Sequence, residues 1–262
     1  ALVTGGSESR SLLCTSLMAL LAISGPLAAQ LQIEIIDGNP SALPIAIVPF
    51  EWQDASPPPI EGVDRIVAND LYRSGLFDPM DVADMPDRPS DPEAIRFGTW
   101  RLLKVDYIVI GKVRTPMDGQ GHEIHYELFD VHKQERLLSR ITTVGPGDLR
   151  FGAHRVADSI YEALTGVPGA FSTRIAYVTS VRESAGKERV ELRIADADGY
   201  DPQTIVSSEE PIMSPAWSSD GKWMAYTSYA RGKPHLYIKN IKEKRGTVVA
   251  KPGVNITPAW VP

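Results

Sequence analysis

The sequence predicts two domains, an N-terminal α/β domain followed by an all-β domain built from blades of a β-propeller. Short apolar strands alternate with amphipathic helical patterns as far as about residue 165, as in α/β domains. Beyond Phe171 the helical periodicity stops, and short strand patterns follow one another between turn residues. This second part repeats itself, with Trp217 and Trp260 lying 43 residues apart. A repeat near that length with four strands per unit is typical of a propeller blade.

The composition narrows the class of protein. The chain has 262 residues, of which 43% are hydrophobic and 23% charged, as in folded globular proteins. Its formal net charge of −6 argues against a nucleic-acid partner, because phosphate binding needs a basic surface. The single cysteine, Cys14, leaves no pair for a disulfide within the chain. We therefore expect a folded protein that does not bind nucleic acid.

Residues 1–29 are predicted to be a signal peptide. Arg10 precedes an apolar stretch from Leu12 to Ile23, which is too short for a membrane span of about 20 residues. A helix-breaking Ser-Gly-Pro and small residues ending at Ala29 follow, so we place cleavage after Ala29. Cys14 lies within the apolar stretch instead of after it, which disfavours a lipoprotein. We expect a soluble, exported protein of the periplasm. The chain starts with Ala1 instead of methionine, so we also expect its front to be incomplete.

Residues 30–167 are predicted to form the α/β domain. Its strands are predicted at residues 31–36, 44–50, 106–113, 122–131 and 136–144, from apolar runs rich in β-branched residues. Its helices are predicted at residues 61–74, from 91 onward, and from the cap residue Asp148 to about 164. Gly75 and Gly166 follow the first and third helices as left-handed caps.

Residues 172–262 are predicted to form about two propeller blades. The predicted strands cover residues 174–179, 190–195, 204–206, 212–217, 223–228, 235–240, 247–250 and 256–260. Asp220-Gly221 supplies a tight hairpin turn between the strands that carry Trp217 and Trp223. Propellers have typically about 4 to 8 blades, and the chain stops inside the second copy of the repeat. We therefore expect further blades beyond Pro262.

Several stretches resemble the TolB family, the periplasmic components of the Tol–Pal system of Gram-negative envelopes. They are "DLYRSGLFD", "ADSIYEALTGVPGAFSTRIAYV", "ELRIADADGYD" and "PIMSPAWSSDGKWMAYTS", and the resemblance covers nearly the whole chain. It implies an N-terminal α/β domain joined to a six-bladed propeller. It also implies a binding protein that links the outer-membrane lipoprotein Pal to the inner-membrane protein TolA. Such a protein supports outer-membrane integrity and constriction during cell division, and colicin-type toxins exploit the same surfaces.

The resemblance places two binding sites on this chain. The TolA-binding segment corresponds to Gln30, Leu31, Gln32, Ile33, Glu34, Ile35, Ile36 and Asp37. Its alternating apolar and polar residues suit addition of a strand to a partner, and suit equally an ordinary first strand of the α/β domain. The Pal-binding loops ring the propeller mouth, and in this chain Asn255, in the loop before "TPAW", is the predicted Pal contact. We expect no cofactor or metal site in this chain.

The alternative function is the propeller of a secreted prolyl-oligopeptidase-like serine hydrolase whose catalytic domain is missing. That chemistry needs a nucleophile elbow, G-x-S-x-G, which the sequence lacks. His122 and His125 are spaced i, i+3 on a predicted strand, unlike the helical H-E-x-x-H of metalloproteases. His132, His154 and His235 are isolated in the sequence, and Asp196 and Asp198 are predicted to shape a turn and not to bind calcium. We therefore expect no enzyme activity.

Overall fold

The structure is a computed structural model that describes residues 42–54, 57–117, 119–182, 188–243, 246–249 and 256–261. All of these lie in one structural unit of the chain. The predicted signal peptide, the predicted strand 31–36, the predicted TolA-binding residues 30–37 and Asn255 fall outside the described ranges.

A six-stranded mixed sheet forms the centre of the α/β domain. Its strands are β1 (Leu43–Ile47), β2 (Glu51–Trp52), β3 (Phe77–Pro79), β4 (Tyr107–Arg114), β5 (His122–Asp130) and β6 (Glu135–Val144). Five of them lie in the order β3-β1-β4-β5-β6, and the short β2 pairs with β4 on the same edge as β1. β1 runs parallel to β3 and β4, whereas β4, β5 and β6 are antiparallel neighbours. Sequence patterns did not predict β2 and β3.

Both faces of strand β1 are buried, and alternate residues of a strand point to opposite faces. Ile45 and Ile47 of β1 pack in a core with the helices α1 (Val63–Arg73) and α3 (Leu149–Thr165). Ala46, between them in β1, packs in a second core with Trp100 of the short helix α2 (Phe97–Leu102). The sheet therefore lies between helical layers, and its apolar strands follow from double-sided burial.

The helix predicted from residue 91 is broken. Only a single 3₁₀ turn, Pro92–Ala94, follows Asp91, and α2 begins later, at Phe97. Asp91 does not cap that turn, because its carboxylate is paired with Lys112 Nζ at 2.5 Å. The extents predicted for α1 and α3 are confirmed, including left-handed Gly75 (φ 72°) and Gly166 (φ 74°) after their last turns. The side chain of Asp148, predicted to cap α3, makes no capping hydrogen bond.

Two antiparallel sheets form the propeller part. The first has three strands, β7 (Arg174–Arg182), β8 (Glu188–Asp196) and β9 (Gln203–Ser208). The second has four, β10 (Ile212–Trp217), β11 (Trp223–Ser228), β12 (His235–Asn240) and β13 (Gly246–Val249). Residues 256–261 form no strand, so the eighth predicted strand is wrong. Leu192 and Ile194 of the first sheet pack against Met224 and Tyr226 of the second.

The sequence repeat is visible in the backbone. Ser214 (φ 51°) and Thr257 (φ 57°) are both left-handed non-glycine residues, both precede a proline, and they are 43 positions apart. At Ser214 this conformation lies at a register shift between Met213 and Ala216. Trp260 of the second copy donates its indole N–H to the carbonyl of Ala216 at 3.0 Å. The two copies of the repeat therefore share a backbone conformation as well as a sequence motif.

Among the described residues, none of the helices has both the length and the apolar character of a membrane span.

Candidate functional site

The turn between β8 and β9 contacts the helices of the α/β domain. It is closed by hydrogen bonds from Gly199 N–H to Asp196 O (2.8 Å) and from Asp196 N–H to Tyr200 O (3.1 Å). The carbonyl of Ala197 accepts a weak hydrogen bond from Arg73 of α1 at 3.4 Å. The junction between the α/β domain and the first propeller sheet is thus formed by one tight turn and two helices.

Arg150 of α3 is the central cation of this junction. Its guanidinium pairs with Glu61 on one side and with Asp198 of the turn on the other. It also lies over the ring of Tyr200, 4.0 Å from the centroid, where the π face attracts the charge. One side chain of α3 therefore contacts both the start of α1 and the first propeller sheet.

Asp198 is held as a carboxylate. Burial alone would raise its pKa, but the backbone N–H of Tyr200, donating at 3.0 Å, and the charge of Arg150 outweigh burial. The pKa of Asp198 therefore lies below its ordinary value. The same environment raises the pKa of Arg150, because Asp198 and Glu61 stabilise its charge against the cost of burial.

Beneath this pair lies a buried carboxylate–imidazole pair. Asp70 of α1 and His154 of α3 are each about 1% exposed, and His154 Nδ1 lies 2.6 Å from Asp70 Oδ2. Arg73, one turn further along α1, pairs with the other oxygen of Asp70. His154 Nε2 faces Asp198, with its Oδ2 at 3.8 Å. Helix α1, helix α3 and the β8–β9 turn therefore meet around one imidazole ring.

His154 is isolated in the sequence, but in the fold it is paired with Asp70. Helical spacing indicates only that Arg150 and His154, four residues apart, share a face of α3. Asp70 likewise continues the buried stripe of Val63, Ile66 and Val67 on α1. A carboxylate on an apolar stripe needs a partner, but nothing local identifies it, since His154 is 84 positions away.

The prediction for Asp196 and Asp198 is confirmed in part. Asp198 does shape the turn, through its hydrogen bond from Tyr200 N–H. It also pairs with Arg150, which the sequence pattern did not indicate. His122 and His125 lie on strand β5 as predicted, near Asp54 and Glu123 respectively, and form no helical metal motif.

The contacts of the junction join the α/β domain to the first propeller sheet. Within the described residues, His154 hydrogen-bonds to no serine hydroxyl, so the nucleophile–base contact of a hydrolase is not formed there. Beside the junction lies a groove of about 680 Å³, lined on one side by residues such as Trp52 and Ile60 and on the other by Tyr200. This groove and the junction both take residues from the α/β domain and from the propeller part.

Comparison with known proteins supports the same architecture. A family model described as the TolB amino-terminal domain matches residues 31–137, and one described as the TolB beta propeller domain matches residues 161–262. The Tol-Pal system protein TolB of Xylella fastidiosa is 44% identical over 248 residues, which is 92% of this chain and 56% of that protein. The protein of the same name from Xanthomonas campestris is 45% identical over 230 residues, 86% of this chain and 52% of that protein.

A solved structure agrees with these sequence relatives. The crystal structure of TolB from Acinetobacter baumannii matches with a TM-score of 0.71 and 36% identity, over 83% of this chain and 51% of that one. The chain thus spans about half the length of the relatives that it matches. The predicted fold class, an α/β domain followed by propeller sheets, is confirmed.

Proposed function

We propose that this chain is a member of the TolB family and that it serves the Tol–Pal system of the bacterial envelope as a protein-binding scaffold and not as an enzyme. The observation that carries the proposal is the succession, in one chain, of an α/β domain and propeller sheets that both match TolB models. The proposed compartment is the periplasm, reached after removal of residues 1–29. The proposed domain limits are residues 30–167 and 172–262.

The proposed partners are Pal and TolA. Pal binds at the propeller mouth, where Asn255 is the proposed contact, and TolA binds the segment Gln30–Asp37. In linking them the protein supports outer-membrane integrity and constriction during cell division, and colicin-type toxins compete for the same surfaces. The alternation of Leu31, Ile33 and Ile35 with polar residues supports strand addition, because an extended chain then offers one apolar face and a free backbone edge.

The alternative, a serine hydrolase propeller, has less support. The sequence contains no G-x-S-x-G elbow. A TolB-type α/β domain precedes the propeller sheets, and it joins them through ion pairs.

Reciprocal binding experiments test the proposal. Deleting residues 30–38 should abolish binding of the purified protein to TolA and leave its binding to Pal unchanged. Substituting Asn255→Ala should weaken Pal binding by about tenfold, the loss of one good contact of about 1.4 kcal/mol, and leave TolA binding unchanged. Calorimetric titration with each purified partner measures both affinities, and each variant is the control for the other.

Undiminished TolA affinity after the deletion would remove the N-terminal segment from the proposal. If the intact protein bound neither Pal nor TolA, the scaffold function itself would be wrong. Circular dichroism of each variant establishes that a lost affinity does not come from lost folding.

A further inference from the structure

Within the described residues, Nε2 of His154 has no hydrogen-bond partner. A carboxylate can only accept, so the 2.6 Å contact with Asp70 places a ring proton on Nδ1, and Nε2 is the nitrogen that can offer a lone pair to a ligand. This atom is buried, and no described donor reaches it. Nine described side-chain atoms are buried without a hydrogen-bond partner, and this nitrogen lies beside two carboxylates that could share a ligand with it.

Two carboxylates converge on this lone pair. One oxygen of Asp198 and one of Asp196, together with a nitrogen of His154, all lie within 4.8 Å of one another. The 3.8 Å between Nε2 and Asp198 Oδ2 is too long for a hydrogen bond. Two ligand atoms that each lie about 2.1 Å from one tetrahedral zinc ion are about 3.4 Å apart. The 3.8 Å between His154 Nε2 and Asp198 Oδ2 is therefore closer to the separation of two atoms that bind one zinc ion than to the length of a hydrogen bond.

Asp70 supplies the outer support that such a site requires. Histidines that bind metals usually donate their other ring N–H to a carboxylate, which fixes the tautomer and raises the basicity of the ligating nitrogen. His154 is held in this way, with its Nδ1 on Asp70 and its Nε2 directed at the turn. One imidazole and two carboxylates suit Zn²⁺ or a neighbouring transition metal, whereas Ca²⁺ prefers six to eight oxygens.

The charges around the ring are also unbalanced. Two guanidiniums lie against four carboxylates: Arg73 and Arg150 against Glu61, Asp70, Asp196 and Asp198. A divalent cation would neutralise the excess of two negative charges. Arg150 already pairs with Asp198, but no ion pair or side-chain hydrogen bond of Asp196 is found within the part of the chain that the structure describes. Both aspartates are only half-buried, which leaves a path of entry from solvent.

We propose that the junction binds one divalent transition-metal ion of the zinc class, through His154 Nε2 and the carboxylates of Asp196 and Asp198. Asp70 acts as a positioning residue for the imidazole. Such an ion joins helix α3 of the α/β domain to the β8–β9 turn of the first propeller sheet. The proposal revises the expectation of no metal site, and it does not depend on the proposed partners Pal and TolA.

Direct titration with Zn²⁺ and with Co²⁺ tests the site. The purified protein should bind one equivalent of Zn²⁺, and Co²⁺ in its place should give the visible absorption of a low-symmetry site. Asp196→Asn should weaken Zn²⁺ binding by at least about tenfold, because a ligand is lost. Asp201→Asn, in the exposed chain just beyond the turn, is the matched control and should bind as the unmodified protein does.

Two further measurements do not depend on how a variant folds. X-ray absorption of the zinc-loaded protein should show only nitrogen and oxygen neighbours at about 2.0–2.2 Å. Nitrogen NMR of the His154 ring should show a shift of Nε2 on adding Zn²⁺. Binding that Asp196→Asn does not weaken would overturn the proposal. So would an NMR spectrum in which Nε2 carries a proton at neutral pH and Zn²⁺ leaves it unchanged, since the ring would then be an imidazolium between two carboxylates.

Discussion

At the scale of single residues, the buried pair of Asp70 and His154 is the most consequential feature of the junction. Removing one partner of a buried pair leaves the other desolvated and unpaired, which costs more than the pair itself contributes. Here the remaining imidazole would face α1 with both nitrogens unsatisfied. The pair therefore makes the packing of α1 against α3 specific.

Asp70→Ala should lower the free energy of unfolding by about 3 kcal/mol, the cost of breaking a buried pair. Urea unfolding in the presence of a metal chelator measures this cost without any contribution from a bound ion. Asp78→Ala, at an exposed position of β3, is the matched control and should change the value by less than about 0.5 kcal/mol. Equal effects of the two substitutions would show that the buried pair contributes no more to the free energy of unfolding than an exposed carboxylate does.

The charged residues of the junction were not predicted from the sequence as a group. The i, i+4 spacing of Arg150 and His154 places both on one face of α3. Their partners Asp70 and Asp198 come from other elements, 84 and 48 positions from His154 and Arg150 respectively. No local pattern carries that information.

At the scale of elements, helix α3 packs closely against the sheet at Gly152. A Cβ at this position would lie 2.7 Å from Ile124 Cδ1 and 2.9 Å from Val144 Cγ1. Ile124 is fully buried and Val144 nearly so, so neither side chain can move aside freely. The glycine is therefore explained by the approach of the helix to strands β5 and β6.

Gly152→Ala should destabilise the protein although alanine is the better helix former. The gain in helix propensity is about 1 kcal/mol, whereas overpacking a buried contact costs about 1–3 kcal/mol. We expect a net loss of about 1 kcal/mol in urea unfolding. Gly98→Ala in α2 is the control, because no atom lies within 4 Å of its Cβ, and there the substitution should stabilise. A stabilising effect at both positions would show that the sheet yields to the methyl group.

Helices and strands were predicted correctly where a local sequence pattern determines them. They were missed where a residue distant in the sequence determines them. α1, α3 and strands β1, β4, β5 and β6 of the central sheet follow from periodicity and glycine caps. The helix expected from residue 91 fails because the backbone is extended at Ile95, whose side chain is buried in the second core. Residues 256–261 resemble β10, but a strand needs a neighbour to receive its hydrogen bonds, and the described residues offer them none.

At the scale of the whole molecule, Arg150 couples the two parts. Arg150→Ala should lower the unfolding free energy by about 2 kcal/mol at neutral pH, through the ion pairs and the stacking on Tyr200. The pKa of Asp198 is lowered in the folded state, so its stabilisation is present above its ordinary pKa and lost as the pH falls through its folded value. The difference between the two proteins should therefore shrink below about pH 4.

Thermal unfolding measured over a series of pH values checks this dependence. Arg136→Ala is the matched control, because its ion pair with Glu127 is exposed and should be worth less than about 1 kcal/mol. A loss for Arg150→Ala that did not vary with pH would mean that its packing matters and its charge does not.

The two-part architecture itself was within reach of the sequence, since the 43-residue repeat separates the propeller part from the α/β domain. The division of the propeller strands into sheets of three and four could not be predicted from the sequence. A repeated sequence motif gives the length of the repeat but not the residue at which each blade begins. Only the hydrogen-bond partners of β9 and β10 decide that boundary.

The positions of the junction residues along the chain also determine the order in which they are synthesised. A polypeptide emerges from the ribosome N-terminus first, so Asp70 and His154 are both available before the turn that carries Asp198 has been made. The α/β domain can then close its sheet and both helical layers alone. Until the β8–β9 hairpin arrives, the Nε2 edge of the imidazole is open to water, and docking of that hairpin is the step that seals it.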